Sequence, residues 1–394
     1  MAKQRVILLC VGLATVAFVV GHYSGRLSSS ITPASYQEFA RALESRDWAL
    51  RAHVISGFVM GLGPENLAPA LATIEAHRRW LSQDELRLFM AAWARFDPQA
   101  AFARSLTWPD HTRSKGAAAA IYGWALYDPL VAREAAMAVN DSLLKALLLD
   151  RIVAAWAHSE DREGVTHYIA GLPDSPSRDR LTAILIREIL ADGHQAVIEW
   201  AEALPSAHQK GFATTAFRKA AGILAQDDHV FATEFVEKNF DAPWAEGAPA
   251  AVARRWVQSD PEAALDWARN LPEGAARDQA ISTAFVQWEK SYPAAADHWL
   301  EQAGQSPELD SPRFALLRRR ATTSPLDALA LADRISNPVM KERGQVLALS
   351  QWFKSDREGA MRWLSTHSVS NEVRAQLRSG RKSRGKKASE SAGG

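Results

Sequence analysis

Ser142 and Lys145 stand three residues apart, a spacing in which some serine acylases of cell-wall peptides place their nucleophile and a lysine. Those enzymes also need a Ser-Asp-Asn string and a Lys-Thr-Gly string to assemble the site, and neither string occurs here. Serine is also a common residue at the start of a helix. We therefore interpret Ser142 as a helix-start residue rather than a nucleophile.

Other motifs of catalysis and metal binding are equally incomplete. The string Gly380-Arg-Lys-Ser-Arg-Gly-Lys-Lys387 resembles a phosphate-binding loop, but it ends in lysine where Ser or Thr would be needed, and no strand precedes it. The 11 histidines never take a ligand spacing such as His-Glu-x-x-His, and the single cysteine, Cys10, excludes an all-cysteine zinc site. The sequence thus predicts no enzyme, no cofactor and no metal, although abundant carboxylates leave a paired acid–base site open.

A row of cations recurs at intervals along the chain. The members of this row are Arg113, Lys145, Arg178, Arg277 and Lys341. Each stands eleven or twelve residues before a large apolar residue, usually Trp, that recurs along the chain as the marker of the repeat described below. Each also lies near the start of the second of the two helices predicted for its repeat. Stacked repeats would align these side chains along one edge. Two interpretations stay open: each cation pairs with a nearby acid such as Asp278 or Asp179, or the row binds an acidic peptide or an anionic glycan.

A repeat of about 32 residues must position all of these side chains. One ladder of marker residues comprises Trp93, Trp124, Trp156, Leu190, Leu224, Trp256, Trp288, Ala321 and Trp352. A second aromatic ladder comprises Phe102, Tyr168, Trp200, Phe235, Trp267, Trp299 and Trp363. Two ladders with one period indicate stacked structural units, in which the aromatic side chains fill the space between layers.

Each unit is predicted to be a pair of helices. In the clearest copy, Asp260 is a suitable N-cap and Pro261 suits the first helical turn, where its missing N–H is no loss. Residues 271–274, Leu-Pro-Glu-Gly, interrupt the helix, and a second helix is predicted from Ala275 to Trp288. One pair cannot cover its own apolar face, so the sequence predicts an all-α, right-handed α-solenoid of stacked pairs.

These residues resemble the tetratricopeptide-like α-solenoids, which share the helix pair of 31–34 residues, the small Ala positions and a Pro near each turn. The recurring string here is Trp-x-x-x-Asp-Pro-x-Ala-Ala-x-x-Trp instead of the usual Trp-x-x-Leu-Gly-x-x-Tyr. It is similar to the Trp/Asp-Pro/Ala-Ala helical repeats of uncharacterised membrane-anchored bacterial proteins. The resemblance covers residues 60–373 and implies a binding scaffold without a stated ligand.

The amino-terminal segment predicts a membrane anchor. Two cations, Lys3 and Arg5, precede an apolar run, and residues 6–23 are long enough to span a bilayer as a transmembrane helix. Positive charge before the run keeps the amino terminus cytoplasmic and exports the body to the periplasmic side. A cleaved signal peptide is the alternative, although the small-x-small cleavage sites are poor or distant.

Charge separates the body from a basic tail. Residues 27–373 carry a net charge of −8, whereas residues 374–394 carry +6. An acidic body argues against nucleic acid as a partner. The tail is expected to be disordered, and either keeps the chain soluble or binds an anionic envelope polymer or lipid headgroups.

The predicted organisation is a signal anchor (1–26), a linker with capping helices (27–59), the solenoid (60–373) and the tail (374–394). We expect a non-catalytic scaffold of the bacterial cell envelope that binds a protein or peptide partner in the solenoid groove. The alternatives are an enzyme or enzyme accessory of peptidoglycan metabolism, and a purely structural spacer.

Overall fold

The computed structural model describes residues 33–77, 80–159, 161–207 and 210–378, and within these ranges the chain is all-α, without a strand. Two compact units divide at residues 165 and 166, inside one helix. The predicted anchor (residues 6–23) and residues 379–394 of the predicted tail (374–394) lie outside the described residues, whereas residues 371–378 are helical, so the ordered body extends past the predicted start of the tail. In the part of the chain that is described, no helix combines the length and the apolar character needed to cross a bilayer.

The first unit contains four helix pairs, two helices to each pair. Its helices are α1 (Pro33–Glu44), α2 (Trp48–Met60), α3 (Leu67–Ala76), α4 (Gln83–Ala94), α5 (Pro98–Leu106), α6 (Asp110–Ala125), α7 (Pro129–Met137) and α8 (Ser142–Ala157), and α9 (Arg162–Ala170) crosses the division. The second helices pack directly on one another in the order α2, α4, α6, α8, and the first helix of each of the last two pairs packs on its own second helix.

The second unit repeats this arrangement. Its helices are α10 (Pro176–Leu190), α11 (His194–Ala207), α12 (Lys210–Asp227), α13 (His229–Lys238), α14 (Ala248–Trp256), α15 (Pro261–Asn270), α16 (Ala275–Ser291), α17 (Pro293–Gln302), α18 (Asp310–Arg320), α19 (Pro325–Asp333), α20 (Pro338–Ser355) and α21 (Arg357–Thr366). Second helices again form a continuous layer in the order α10, α12, α14, α16, α18, α20.

The predicted helix starts are confirmed by their capping bonds. The Asp260 carboxylate accepts a hydrogen bond from the backbone N–H of Ala263 at 3.1 Å, and Pro261 occupies the first turn of α15. Asp97 and Asp128 cap α5 and α7 in the same way. The predicted break at residues 271–274 separates α15 from α16, which begins at Ala275 as expected. The repeated Asp is therefore explained by local helix capping.

The two aromatic ladders meet between successive pairs. Trp256 and Trp267 have ring centroids 6.1 Å apart, and Trp288 and Trp299 have centroids 6.2 Å apart. Trp352 and Trp363 repeat the contact at 6.4 Å. In each case a second-helix Trp contacts the Trp eleven residues later, on the first helix of the next pair. Such distances are typical of attractive aromatic pairs, and they join adjacent pairs through shared core.

Two helical glycines lie at contacts between second helices, but their surroundings differ. A β-carbon at Gly123 would lie 2.9 Å from the Ala94 β-carbon and 3.1 Å from the Ala91 α-carbon. A β-carbon at Gly222 would lie 3.6 Å from the Ala251 β-carbon, which is an ordinary contact. Gly123 therefore permits a close approach of α4 and α6 that a larger residue would prevent.

We expect Gly123→Ala to destabilise the first unit by about 1–3 kcal/mol, because the added carbon forces two helices apart. Gly222→Ala is the matched control. It should stabilise the second unit by about 0.5–1 kcal/mol, because alanine loses less backbone entropy than glycine in a helix. Thermal unfolding of the full-length chain measures both, and equal shifts for the two variants would contradict the close packing of α4 on α6.

Candidate functional site

The predicted basic row is found near the starts of second helices, as expected, in both units. In the first unit, Arg113 lies 3.2 Å from the Asp141 carboxylate of the next pair. Asp141 also caps α8 by accepting hydrogen bonds from the backbone N–H groups of Leu143 and Leu144. Lys145, one turn into α8, is half-buried. In the first unit, a nearby acid therefore pairs with one of the two cations of the row.

The row's members in the second unit are also paired. Arg178 lies 2.7 Å from Asp174, and only 10% of its side chain is exposed. Arg277 lies 3.5 Å from Asp278 and is 16% exposed, and Lys341 lies 3.1 Å from Asp333. The pairing interpretation thus describes four of the five cations. Binding of a partner by the row stays a prediction.

A different cluster of cations surrounds a groove in the second unit. The groove, with a volume of about 450 Å³, is lined by the second helices α10, α12, α14 and α16. Four exposed arginines stand around it: Arg187 on α10, Arg218 on α12, and Arg254 and Arg255 on α14. We call this depression and its four arginines the basic groove.

Small side chains form the floor of the basic groove. Ala250 and Ala251 of α14 and Gly222 of α12 are buried there, and Ala183 of α10 is half-buried. Because none of these side chains is longer than a methyl group, a ligand can lie close to the helices themselves. The arrangement follows from the repeat, which places alanine or glycine where neighbouring second helices touch.

Among the described residues, no acid pairs with the four arginines of the basic groove. Lys219, which also lines it, pairs with Asp179 at 3.2 Å. Guanidinium groups bind carboxylates and phosphates through two parallel hydrogen bonds. Four such groups beside one neutralised pair therefore give the groove the chemistry that anion binding requires.

Backbone conformation holds one of these arginines in place. Gly247, the residue before α14, has φ +77°, a left-handed conformation that favours glycine. A β-carbon at this position would lie 3.2 Å from the Arg218 δ-carbon. The aliphatic part of Arg218 therefore lies against Gly247, where a larger residue would crowd it.

The rest of the groove lining supplies hydrogen-bonding groups. Gln279 and Thr283 of α16 add neutral polar groups, and the one carboxylate of the lining, Asp179, is held by Lys219. Elsewhere in the described ranges, no three His, Cys, Asp or Glu side chains approach closely enough to hold a metal ion. The arrangement suits reversible binding of an anionic ligand.

Sequence reasoning missed the four arginines because they share no position in the repeat. A usable signal existed: none of the four has an Asp or Glu three or four residues away, where a helical ion pair would form. The predicted row differs, since Arg178 follows Asp174 and Arg277 follows Glu273 by one helical turn.

Comparison with known proteins supplies no family for this chain. It matches no protein-family model, no curated protein and no solved structure. The geometry and charge of the groove are therefore the features that bear on function.

Proposed function

We propose that this protein is a non-catalytic, membrane-anchored helical-repeat scaffold of the bacterial cell envelope, and that it binds a protein or peptide partner. In this proposal its helix pairs form a right-handed, tetratricopeptide-like solenoid. Residues 6–23 anchor the chain, the amino terminus is cytoplasmic, and the body is exported. The basic tail adds attraction to an anionic envelope polymer or to lipid headgroups.

The basic groove is the observation that supports binding. Its four arginines are exposed, converge on one depression and have no ion-pair partner within the described residues. Surface arginine is also enriched where proteins bind partners. From the predicted row, Arg113 and Lys145 in the first unit and Lys341 in the second each keep a partly exposed side chain, whereas Arg178 and Arg277 support local structure.

The alternative of a cell-wall enzyme would be favoured by two convergent carboxylates in a pocket. The lining of the basic groove contains Asp179 alone of this type, with Lys219 at 3.2 Å. The groove therefore gives the enzyme class no support.

Site-specific photo-crosslinking in intact cells tests the proposal. A photoreactive residue in place of Gln279, which lines the groove, should form a discrete adduct with one partner, and the same residue in place of exposed Glu358 on α21 should not. Charge reversal of the four groove arginines should reduce the Gln279 adduct at least tenfold. Equal adducts at both positions, or no loss on charge reversal, would contradict groove-dependent binding.

The same cells test the location. Protease added to intact spheroplasts should degrade the body and leave a membrane-bound amino-terminal fragment. Protection of the body would refute the exported orientation and leave the binding result unaffected.

A further inference from the structure

The cations of the basic groove lie on consecutive helices rather than on one. Arg187 belongs to α10, Arg218 to α12, and Arg254 and Arg255 to α14, and these second helices pack side by side. Packed helix axes are about 8–10 Å apart. The groove therefore has one cation-bearing helix about every 9 Å, and its cations follow one another across the helices rather than along a single helix.

An extended peptide matches this interval. In the polyproline II conformation the chain rises about 3.1 Å per residue with three residues per turn, so residues i and i+3 share one face about 9 Å apart. An acidic side chain at every third residue would then meet one cationic position per helix. A bound α-helix, which rises about 1.5 Å per residue, would cover this interval in about six residues, and acids at i and i+7 would be the nearest match on one face.

The floor and the polar lining favour the extended form. A polyproline II segment makes no internal backbone hydrogen bonds, so its carbonyl and N–H groups need partners. Gln279 and Thr283 offer donors and acceptors, and the small floor residues Gly222 and Ala251 let the main chain approach. A helical ligand has satisfied backbone groups and would not use these features.

The lining also distinguishes a peptide from a nucleic acid. Proteins that bind single strands stack the bases on aromatic side chains. The largest apolar side chain among the lining residues is Ile223, and none of these residues is aromatic. The groove thus offers charge and hydrogen bonds without a stacking surface, which fits carboxylates on a peptide.

From these observations, and building on the proposed scaffold function, we propose that the basic groove binds an extended acidic peptide segment with Asp or Glu at every third residue. The segment lies across α10, α12 and α14. Arg187 binds one carboxylate, Arg218 the next, and Arg254 with Arg255 the third.

Fluorescence anisotropy with the full-length chain in detergent micelles tests the proposal. The probe is a labelled peptide of four Glu-Pro-Pro units, in which proline holds the extended conformation. A peptide of the same composition with its four glutamates consecutive should bind at least fivefold more weakly, and four Lys-Pro-Pro units should not bind. Raising the salt concentration from about 50 to about 500 mM should weaken binding at least tenfold.

Substitution of the groove arginines tests whether the peptide binds in the basic groove. Charge reversal at Arg187, Arg218, Arg254 and Arg255 should weaken binding at least 100-fold, and single Arg→Gln variants should each weaken it about 3- to 10-fold. The matched control reverses four exposed cations outside the groove, Arg318, Lys354, Arg357 and Arg362, and should change binding less than twofold. If charge reversal unfolds the chain, as judged by circular dichroism, the quadruple Gln variant replaces it.

Competitors separate the classes of ligand. An oligouronate or an oligothymidylate of equal charge should compete at least tenfold less well than the peptide, and tighter binding of either would overturn the peptide assignment. If neither the spaced nor the clustered peptide binds, while the Gln279 adduct still depends on the groove arginines, the acidic-peptide inference fails and the scaffold function stands. Loss of the adduct dependence alone would refute the proposed function.

Discussion

Replacement of Asp310 by alanine should destabilise the second unit by about 3–5 kcal/mol, because it removes one partner of a buried ion pair. The two Asp310 carboxylate oxygens accept hydrogen bonds from the backbone N–H groups of Ser336 and Asn337, at 2.9 and 2.8 Å. Asn337 is the N-cap of the next second helix, α20, and Ser336 precedes it. The carboxylate therefore ties one helix pair to the following pair.

The partner of Asp310 makes the loss severe. The Arg313 side chain is fully buried, and its guanidinium lies 3.5 Å from the Asp310 carboxylate. It also donates hydrogen bonds to the backbone carbonyls of Ser306 and Gly304. Burial, followed by the positive charge of Arg334, lowers the pKa of Arg313 from its ordinary value. Without Asp310, this buried cation would keep only the smaller attraction of the Glu308 carboxylate as an opposing charge.

Hydrogen exchange of the full-length chain measures the effect. In Asp310→Ala, amides of α18 through α20 should exchange faster by the factor that the lost stability implies, and Asp310→Asn should lie between the variant and the wild type. The control is Asp333→Ala, which removes the exposed pair with Lys341 and a 3.3 Å hydrogen bond donated by Gln345, and should cost about 1–2 kcal/mol. Equal effects of Asp310→Ala and Asp333→Ala would refute the proposed role of the buried pair.

Many helix starts and ends were predictable because residues next to one another in the sequence determine them. An Asp before a Pro selects a helix start, as Asp260 and Pro261 show, because the carboxylate and the missing N–H both suit the first turn. Leucine, proline and glycine at residues 271–274 interrupt the helix for equally local reasons. Such features need no knowledge of distant contacts.

One Leu-Pro step does not end its helix. The Leu204-Pro205 step resembles the interruption at 271–272, yet α11 continues to Ala207 with Pro205 inside it. Proline at this point lies in the last turn, so the chain loses one backbone hydrogen bond shortly before the helix would end. The two Leu-Pro steps differ in the two residues that follow the proline. These residues are Glu-Gly after Pro272 and Ser-Ala after Pro205. Glycine at residue 274 favours a break, whereas alanine at residue 207 lets the last turn close.

The groove could not be predicted from periodicity, because its residues come from four helices at unequal repeat positions. Arg187 stands three residues before its repeat marker and Arg254 two residues before its own, so no ladder includes both. Their proximity depends on how α10, α12 and α14 pack. A search for cations without a helical acid neighbour would have found them, whereas the search for a recurring cation found Arg277, which Glu273 and Asp278 flank.

Replacement of Trp288 by alanine is the second change expected to have a large effect, a loss of about 3–5 kcal/mol from the second unit. Trp288 is 6% exposed and packs edge-on against Trp299 of the next helix pair, within a core that includes Phe285. The variant loses the buried apolar area and the aromatic contact, and it leaves a cavity between two pairs.

Trp48→Ala is the control, since Trp48 is 80% exposed and should contribute within about 0.5 kcal/mol. Urea unfolding of the full-length chain, monitored by far-ultraviolet circular dichroism, compares the two. A loss for Trp288→Ala no larger than that for Trp48→Ala would mean that the aromatic ladders do not join the helix pairs.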